Sequence, residues 1–181
     1  MSGSSSGRLS ICQMSGTMVY AQIERFVSLS QQIVEAGSHL GWEDPNDVDV
    51  IRSYWHSQCN SIDAENHVLF CLMDETEIAA TVQYERGHFP TSRHRAEVAK
   101  LMVEPRYRRR GCASMLMDHL ELDAESRGIE LLVLDTRAGE PVEALYSKRG
   151  YTRTGLIPGW AKYSTGAYRD TVFFYKQLEK S

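Results

Sequence analysis

The feature that most constrains the fold is a basic turn that lies between a strand pattern and the strongest helix pattern of the chain. Residues 94–103 alternate as a β-strand does, and Pro105 halts the pattern. Apolar residues then recur at helical spacing over 111–127, and Gly128 ends that helix. The apolar run 131–134 is typical of a strand covered on both faces. A strand, a helix and a second strand in this order predict a right-handed crossover unit and therefore an α/β fold.

The same periodicities place further elements on both sides of this unit. They are helices near 18–37, 45–60 and 140–148, and strands near 67–73, 78–84, 151–155 and 169–177. The hairpins among these strands predict a mixed, mostly antiparallel central sheet flanked by helices. The expected organisation is one α/β (α+β) domain over residues 9–181, preceded by a disordered Ser/Gly-rich segment at 1–8.

Composition excludes several classes of protein. The chain has 181 residues, enough for one domain, and a formal net charge of −4, which gives no general attraction to nucleic acid or to anionic membranes. Its four cysteines show no C-x-x-C spacing and its histidines no paired spacing, so no metal site is expected. No apolar run reaches the length of a membrane span and no signal-peptide pattern occurs, so a cytoplasmic protein is predicted. Monomer and homodimer both remain open.

The basic turn itself predicts an anion site. It reads Arg108-Arg109-Arg110-Gly111-Cys112-Ala113 and opens the helix, whose first N–H groups lack internal partners and carry the positive end of the macrodipole. Gly111 allows close approach of the backbone, and the arginines can fork onto phosphate oxygens. The alternative is a solvated basic turn. Neither a G-x-G-x-x-G nor a Walker sequence is present, so dinucleotide and P-loop sites are disfavoured.

These residues match the [QR]-x-x-G-x-[GA] signature of the GNAT acyltransferases, and Leu145-Tyr146-Ser147-Lys148-Arg149-Gly150-Tyr151 resembles the later L-Y-x-K-x-G-[FY] motif of that family. The resemblance implies acetyl-CoA as cosubstrate and no metal. It implies that main-chain amides over 108–114 hold the pyrophosphate and that 101–103 pair with the pantetheine arm. The implied cofactor-binding residues are Leu101, Met102, Val103, Arg108, Arg109, Arg110, Gly111, Cys112, Ala113 and Ser114. Gly139 departs from the family, many of whose members have asparagine there.

Three residues are candidates for the chemistry of acetyl transfer to an amine, which requires a proton acceptor and a proton donor. The resemblance places Tyr146 where family tyrosines face the thioester sulfur, as the acid; otherwise it is a core aromatic. Glu97 and Asp135 lie on neighbouring predicted strands and can meet at one cleft as the base. Their structural alternatives are a strand-end salt bridge and a helix-capping or turn role.

Other candidates for the acceptor side are less specific. His88 and His94 lie on a loop and are alternative bases. Trp160, Tyr163 and Tyr168 follow Gly155 and Pro158 in what reads as a glycine-rich loop, where they can line the acceptor site or cap the core.

Within the superfamily, the chain most closely resembles the tabtoxin-resistance acetyltransferases. The resemblance is carried by 96–103, by Leu116-Met117-Asp118, by Leu134-Asp135-Thr136 with Ala138-Gly139, and by Tyr151-Thr152-Arg153. It implies N-acetylation of a small, amino-acid-like amine, in that case a detoxification. A protein or peptide N-acetyltransferase and a non-catalytic acyl-CoA sensor are the alternatives. Direct transfer in a ternary complex is expected, because Cys112 lies in the phosphate turn and is a poor nucleophile candidate.

Overall fold

The computed structural model describes residues 9–38, 40–62 and 65–179; the segment 1–8, expected to be disordered, lies outside these ranges. The strands are β1 Leu9–Met14, β2 His67–Asp74, β3 Glu77–Arg86, β4 Arg95–Val103, β5 Leu131–Arg137, β6 Thr152–Lys162 and β7 Tyr168–Gln177. The helices are α1 Gly16–Ala21, α2 Ile23–Glu35, α3 Val48–Ile62, α4 Cys112–Ser126 and α5 Val142–Lys148. Short 3-10 turns occupy Pro90–Ser92 and Pro105–Tyr107.

The strands form one seven-stranded sheet in the order β1-β2-β3-β4-β5-β7-β6. β4 and β5 are parallel and are connected through α4, whereas the other neighbouring strands of the described chain pair antiparallel. The predicted mixed, mostly antiparallel sheet with a β-α-β unit at its centre is confirmed. The parallel junction is held by three residue pairs, so it is where the sheet can open.

Helices cover both faces of the sheet and bury two apolar clusters. On one face α4 places Leu116, Met117 and Leu120 at 0% exposure against β2, β3 and β4. Burying each such side chain stabilises the fold by about 1.5–3 kcal/mol. On the other face α1, α2 and α3 pack Phe26 and Trp55, also fully buried, against the sheet. Successive residues of a strand point alternately into these two clusters, so the position of a residue in its strand determines the face of the sheet on which its side chain lies.

The N-terminal third differs from the prediction in three places. The helix predicted near 18–37 is two helices, α1 and α2, which break at Gln22 with φ −118° and ψ 20°. The helix predicted near 45–60 begins later, at Val48, and extends to Ile62. β1 was not predicted; it is an edge strand that pairs antiparallel with β2, and its burial does not alternate strictly. A short edge strand carries a weak periodic signal because only one side of it is held by a neighbour.

The C-terminal strands are longer than predicted. β6 runs to Lys162 rather than ending near 155, so Trp160 lies in a strand and the prediction of a glycine-rich loop there is wrong. Gly155 and Gly159 coincide with irregularities in the β6–β7 register, and Gly159 has φ +64°. β6 is the edge of the sheet, where Pro158 costs no ladder hydrogen bond. Glycine and proline therefore mark bulges of an edge strand here rather than a loop.

Among residues 9–38, 40–62 and 65–179, no helix is long and apolar enough to cross a membrane.

Candidate active site

The site lies where β4 and β5 separate. The parallel ladder consists of Arg95 with Leu131, Ala96 with Leu132 and Glu97 with Val133. Both strands continue beyond these pairs, to Val103 and Arg137, but without further pairing between them in this fully described region. The β5-facing backbone of β4 is therefore open from about residue 98 onward, and an extended ligand arm can hydrogen-bond to it as an added strand.

A β-bulge changes the direction of β4 where the gap begins. Thr81 pairs with Met102 and Gln83 with Ala99, so β4 carries one residue more than β3 between these points. Lys100 lies in the bulge with φ +52°, a left-handed conformation that is uncommon for a residue other than glycine. The Thr81 hydroxyl donates to the Lys100 carbonyl over 2.9 Å and holds the bulge. Strained backbone of this kind is concentrated at functional sites.

The N-terminus of α4 has the geometry of an anion site and lies at one end of the gap. Gly111 and Arg109 both adopt left-handed conformations, with φ +80° and +61°. The first helical bond from this turn runs from the Met115 N–H to the Gly111 carbonyl, 3.0 Å, so the preceding amides of the helix point outward. No protein atom lies within 4 Å of a Cβ built on Gly111, so open space adjoins the turn. This geometry fits a pyrophosphate.

The four clustered arginines have different roles. Arg108, Arg109 and Arg110 are exposed, and Arg108 Nε donates to the Val103 carbonyl over 3.2 Å, which ties the turn to the end of β4. Arg106 instead pairs with the buried Glu104, at 2.9 Å between Nε and Oε1. The cluster therefore divides into three exposed cations beside the helix N-terminus and one cation that neutralises a buried carboxylate.

Glu97 and Asp135 lie at the opposite end of the gap, on one face of the sheet. Their strand neighbours Ala96, Val98 and Leu134 belong to the α4-side cluster, so alternation points both carboxylates toward the α1–α3 face. Both are exposed. Partial desolvation raises the pKa of Glu97, and the charges of Asp135 and of its cross-strand partner Glu85 raise it further. Partial desolvation also raises the pKa of Asp135. The effect of the Asp135 charge on Glu97 is consistent with the predicted meeting of the two carboxylates, and the nearby Lys100 charge acts to lower the pKa of Asp135.

Tyr146 lies on α5 and belongs to the α4-side cluster, on the opposite face of the sheet from the carboxylates. It is 5% exposed and packs against Tyr151 and Phe174, each with a ring-centroid distance of 5.7 Å. Desolvation, and next the charge of Asp135, raises the pKa of Tyr146, so its hydroxyl keeps its proton at neutral pH. That hydroxyl has no hydrogen-bond partner in the described part of the chain. It is therefore free to donate to a ligand.

An ion-pair network fixes the end of α5 that follows Tyr146. Arg149 NH2 lies 2.6 Å from Asp118, and its Nε lies 3.0 Å from Glu121. Lys176 of β7 reaches the same Glu121 at 2.7 Å. Helices α4 and α5 and strand β7 are thus joined by one set of charges, which limits the rotation of Tyr146 about the helix axis.

Lys100 belongs to the site and was not singled out from the sequence. Its ammonium donates to the Leu40 carbonyl over 2.7 Å and lies over the rings of Trp42 and Tyr54, at 4.6 and 4.7 Å from their centroids. Desolvation lowers the pKa of Lys100 to about 8, against an opposing effect of Asp135. The only available signal was a cation that interrupts an apolar strand next to the predicted phosphate turn.

The remaining candidates are placed away from the gap or serve other contacts. His88 Nε2 lies 2.9 Å from Glu85 at the surface, and the His94 carbonyl accepts backbone bonds from the start of β5. Tyr163 lies in the β6–β7 turn and Tyr168 opens β7. Cys112 is buried, and its thiol points back to the Tyr107 carbonyl, 3.4 Å away. No cluster of three metal-ligating side chains occurs in the part of the chain that the structure describes.

A sequence profile of the acetyltransferase (GNAT) family matches residues 34–151, well over half of the chain. The match spans the sheet opening, the anion site at α4 and the helix that carries Tyr146. The chain therefore belongs to the GNAT acetyltransferase family, whose members use acetyl-CoA. The enzyme class predicted from the two motifs is confirmed.

Solved structures share the fold over nearly the whole chain. A protein provisionally designated a phosphinothricin N-acetyltransferase has a TM-score of 0.78 and 22% identity, with 95% of this chain and 99% of that chain covered. An N-acetyltransferase from Staphylococcus aureus Mu50 has a TM-score of 0.76 and 14% identity, with the same coverage. The ribosomal-protein-S18-alanine N-acetyltransferase of Escherichia coli has a TM-score of 0.68 and 19% identity, with 96% of each chain covered. At these identities the likeness shows the fold, and the two neighbours whose names state an acceptor, phosphinothricin and ribosomal protein S18, name different ones.

Proposed function

We propose that the protein transfers the acetyl group of acetyl-CoA directly to the primary amine of a small, amino-acid-like molecule. The observation that carries this proposal is the pair of carboxylates, Glu97 and Asp135, on one face of the opening between β4 and β5. A negatively charged opening attracts an ammonium group, and the raised pKa of each carboxylate favours its use as a proton acceptor.

The residues present at the other end fit acetyl-CoA. The left-handed Gly111 and the outward amides of 112–114 provide an anion cradle, with exposed Arg108, Arg109 and Arg110 beside it. The open backbone of Leu101, Met102 and Val103 can pair with the pantetheine arm. Acetyl-CoA supplies the acetyl group as an activated thioester. The two ends of the opening thus match the two ends of a ternary complex.

The carboxylates accept the proton that the acceptor ammonium must lose. An aliphatic ammonium must lose a proton before its nitrogen can attack a carbonyl carbon. Glu97, whose pKa is raised by partial desolvation and by the nearby charges of Asp135 and Glu85, takes that proton directly or through water. Asp135 is the second acceptor and keeps the pocket anionic when Glu97 is protonated.

Tyr146 donates a proton to the leaving thiolate. A thiolate leaves more readily when a proton is donated to its sulfur. The Tyr146 hydroxyl remains protonated because burial and the charge of Asp135 raise its pKa. Arg149, Asp118 and Glu121 hold α5 and so hold this hydroxyl in position.

The acceptor class rests on chemistry and resemblance together. Within the superfamily, the motifs that resemble the tabtoxin-resistance acetyltransferases contain Glu97, Asp135 and Tyr146. A neighbour provisionally designated a phosphinothricin N-acetyltransferase is consistent with a small amino-acid-like acceptor. We propose a role in chemical detoxification on the same grounds.

The direct test is release of free CoA thiol from acetyl-CoA in the presence of parallel panels of small amines and lysine-bearing peptides. Turnover with one class of small amino-acid-like amine supports the proposal. Turnover confined to peptides makes the protein a peptide N-acetyltransferase. Acetyl-CoA binding without turnover on either panel would favour a non-catalytic acyl-CoA sensor.

A further inference from the structure

The segment Leu40 to Glu43 is held at both of its ends by parts of the sheet that lie on opposite sides of the opening. We call residues 40–43 the acceptor strap. At its first end the Leu40 carbonyl accepts a hydrogen bond from Lys100 Nζ, 2.7 Å away, on β4. At its last end the Glu43 carboxylate accepts from the backbone N–H and the hydroxyl of Ser164, at 2.7 and 2.6 Å to Oε2. Ser164 belongs to the turn between β6 and β7.

Sheet order shows what the strap crosses. From β4 the order continues through β5 and β7 to β6, so β5 lies between the two anchors. Neighbouring strands are about 4.8 Å apart, and four extended residues reach about 13 Å. The strap is therefore long enough to pass from β4 to the far hairpin. The two anchors of the strap therefore lie on opposite sides of β5 in the sheet order.

The strap lies on the face that carries the carboxylates. Trp42 is 6% exposed and belongs to the cluster on the α1–α3 side of the sheet, and that is the face toward which Glu97 and Asp135 point. Trp42 packs edge-on against Tyr54 of α3, with ring centroids 5.2 Å apart. Lys100 lies over both rings, so one cation holds strap, helix and strand together.

The two anchors differ in kind. Lys100 makes no salt bridge among the residues that the structure describes, and its charge is satisfied by a carbonyl and two aromatic faces. Glu43 is half-buried and receives two charge-assisted hydrogen bonds from an exposed turn. Each anchor can thus be removed by a separate substitution.

We propose that Lys100 and Glu43 are specificity-determining residues, which tie the acceptor strap across the opening and restrict the acceptor to a small molecule. The proposal rests on the proposed function, because it concerns the acceptor end of the same opening. A peptide acceptor needs a groove that continues past the amine on both sides. A strap anchored on both sides of the opening would interrupt such a groove.

The test uses probes that bind without turnover. The first probe is CoA joined through an acetyl linker to the amine of a single amino acid, and the second is CoA joined to a lysine within a peptide. Calorimetric titration gives the dissociation constant of each. We expect the wild-type chain to bind the peptide conjugate at least about tenfold more weakly than the amino-acid conjugate. Glu43→Ala and Lys100→Met, which remove one anchor each, should reduce this difference severalfold.

Asp170→Ala is the matched control. The Asp170 carboxylate accepts a backbone bond from Gly159 over 2.9 Å in the same hairpin but does not join the hairpin to the strap. It should leave the ratio of the two dissociation constants unchanged. If Asp170→Ala lowers the ratio as much as Glu43→Ala does, general loosening of the hairpin explains the effect and the proposal is overturned.

Acrylamide quenching supplies a second readout that does not depend on ligand. In a Trp160→Phe background the remaining tryptophans, Trp42 and Trp55, are 6% and 0% exposed, so quenching should be weak. Glu43→Ala and Lys100→Met should increase it by releasing Trp42. Unchanged quenching in both variants, or equal affinity of the wild type for both conjugates, would overturn the proposal. Absence of turnover with every amine would defeat the proposed function without altering either readout.

Discussion

The two ends of the opening are built by different means. The proposed phosphate end is one contiguous turn, 108–114, in which backbone amides are the proposed binding groups and left-handed Gly111 sets their direction. The acceptor end takes single side chains from separated segments of the chain. They are Trp42, Glu43, Glu97, Lys100, Asp135, Tyr146 and Ser164.

This difference has a physical consequence. A site made of main-chain amides depends on the path of the backbone, so most side-chain changes leave it intact and a change of conformation destroys it. A site made of side chains from distant segments changes with each substitution. Members of one family can therefore keep the cosubstrate and differ in the acceptor.

The largest effect is expected from Gly111→Asp combined with Arg108→Ala. Aspartate places a negative charge where a pyrophosphate should bind and must adopt φ +80°, and the second change removes a cation. We expect acetyl-CoA to bind at least about a hundredfold more weakly, about 2.7 kcal/mol, in a calorimetric titration. Arg93→Ala, which removes an exposed arginine outside the turn, is the control. Unchanged affinity in the double variant would remove the phosphate assignment.

The next effect contrasts two tyrosines that share one aromatic cluster. Tyr146→Phe retains the ring packing but removes the proposed acid, so kcat should fall by about a hundredfold or more while acetyl-CoA affinity stays the same. Tyr151→Phe makes the same chemical change at a second buried hydroxyl of the cluster, which lies near the Glu121 carboxylate. Steady-state kinetics should show almost no loss for it. Equal losses in both variants would mean that Tyr146 acts through packing alone.

A smaller effect, on the pH dependence of kcat/KM, distinguishes the roles of the two carboxylates. A base must be deprotonated, so kcat/KM should fall as pH drops through the raised pKa of Glu97. Asp135→Asn removes a negative charge that raises that pKa, so the acidic limb should move to lower pH, by about one pH unit or less. Glu97→Gln should remove most of the limb.

Asp49→Asn provides the control for the pH profile, because Asp49 is an exposed carboxylate on α3 that pairs with Arg52. Its profile should match that of the wild type. If Asp135→Asn does not shift the acidic limb of the kcat/KM profile, the charge of Asp135 does not affect the pKa of Glu97. That result would contradict the proposed division of roles.

Most of the fold was predictable because its signals are local. The centre of the sheet, α4 and the two motifs are read from alternation, helical spacing and glycine positions within short windows. The errors in the strands fall at the edges of the sheet, and the errors in the helices are the break between α1 and α2 and the bounds of α3. β1 and the outer half of β6 are each held by one neighbour, so their residues need not alternate between core and solvent.

The candidate site was predictable only where one stretch of sequence makes it. The turn at 108–114 was proposed from its own residues, and Glu97 and Asp135 were proposed because they lie on neighbouring strands, Glu97 early in one and Asp135 at the end of the other. Lys100 was missed because its role depends on a bulge and on Trp42 and Tyr54, which lie far away in sequence. A local sequence pattern does not indicate which distant loop a lysine side chain will contact.

The smallest effect is expected from Cys112→Ala, which tests whether an acetyl-enzyme forms. Cys112 lies in the phosphate turn, is 2% exposed and directs its thiol to the Tyr107 carbonyl. Burial raises the pKa of this thiol, so it stays protonated at neutral pH and is a weak nucleophile. We expect kcat within about twofold of the wild-type value, since the side chain contributes packing rather than chemistry. Mass spectrometry of the wild type after incubation with acetyl-CoA alone should show no acetylated cysteine. An acetyl group on Cys112, lost when an amine is added, would replace direct transfer with a two-step reaction at the phosphate end of the opening.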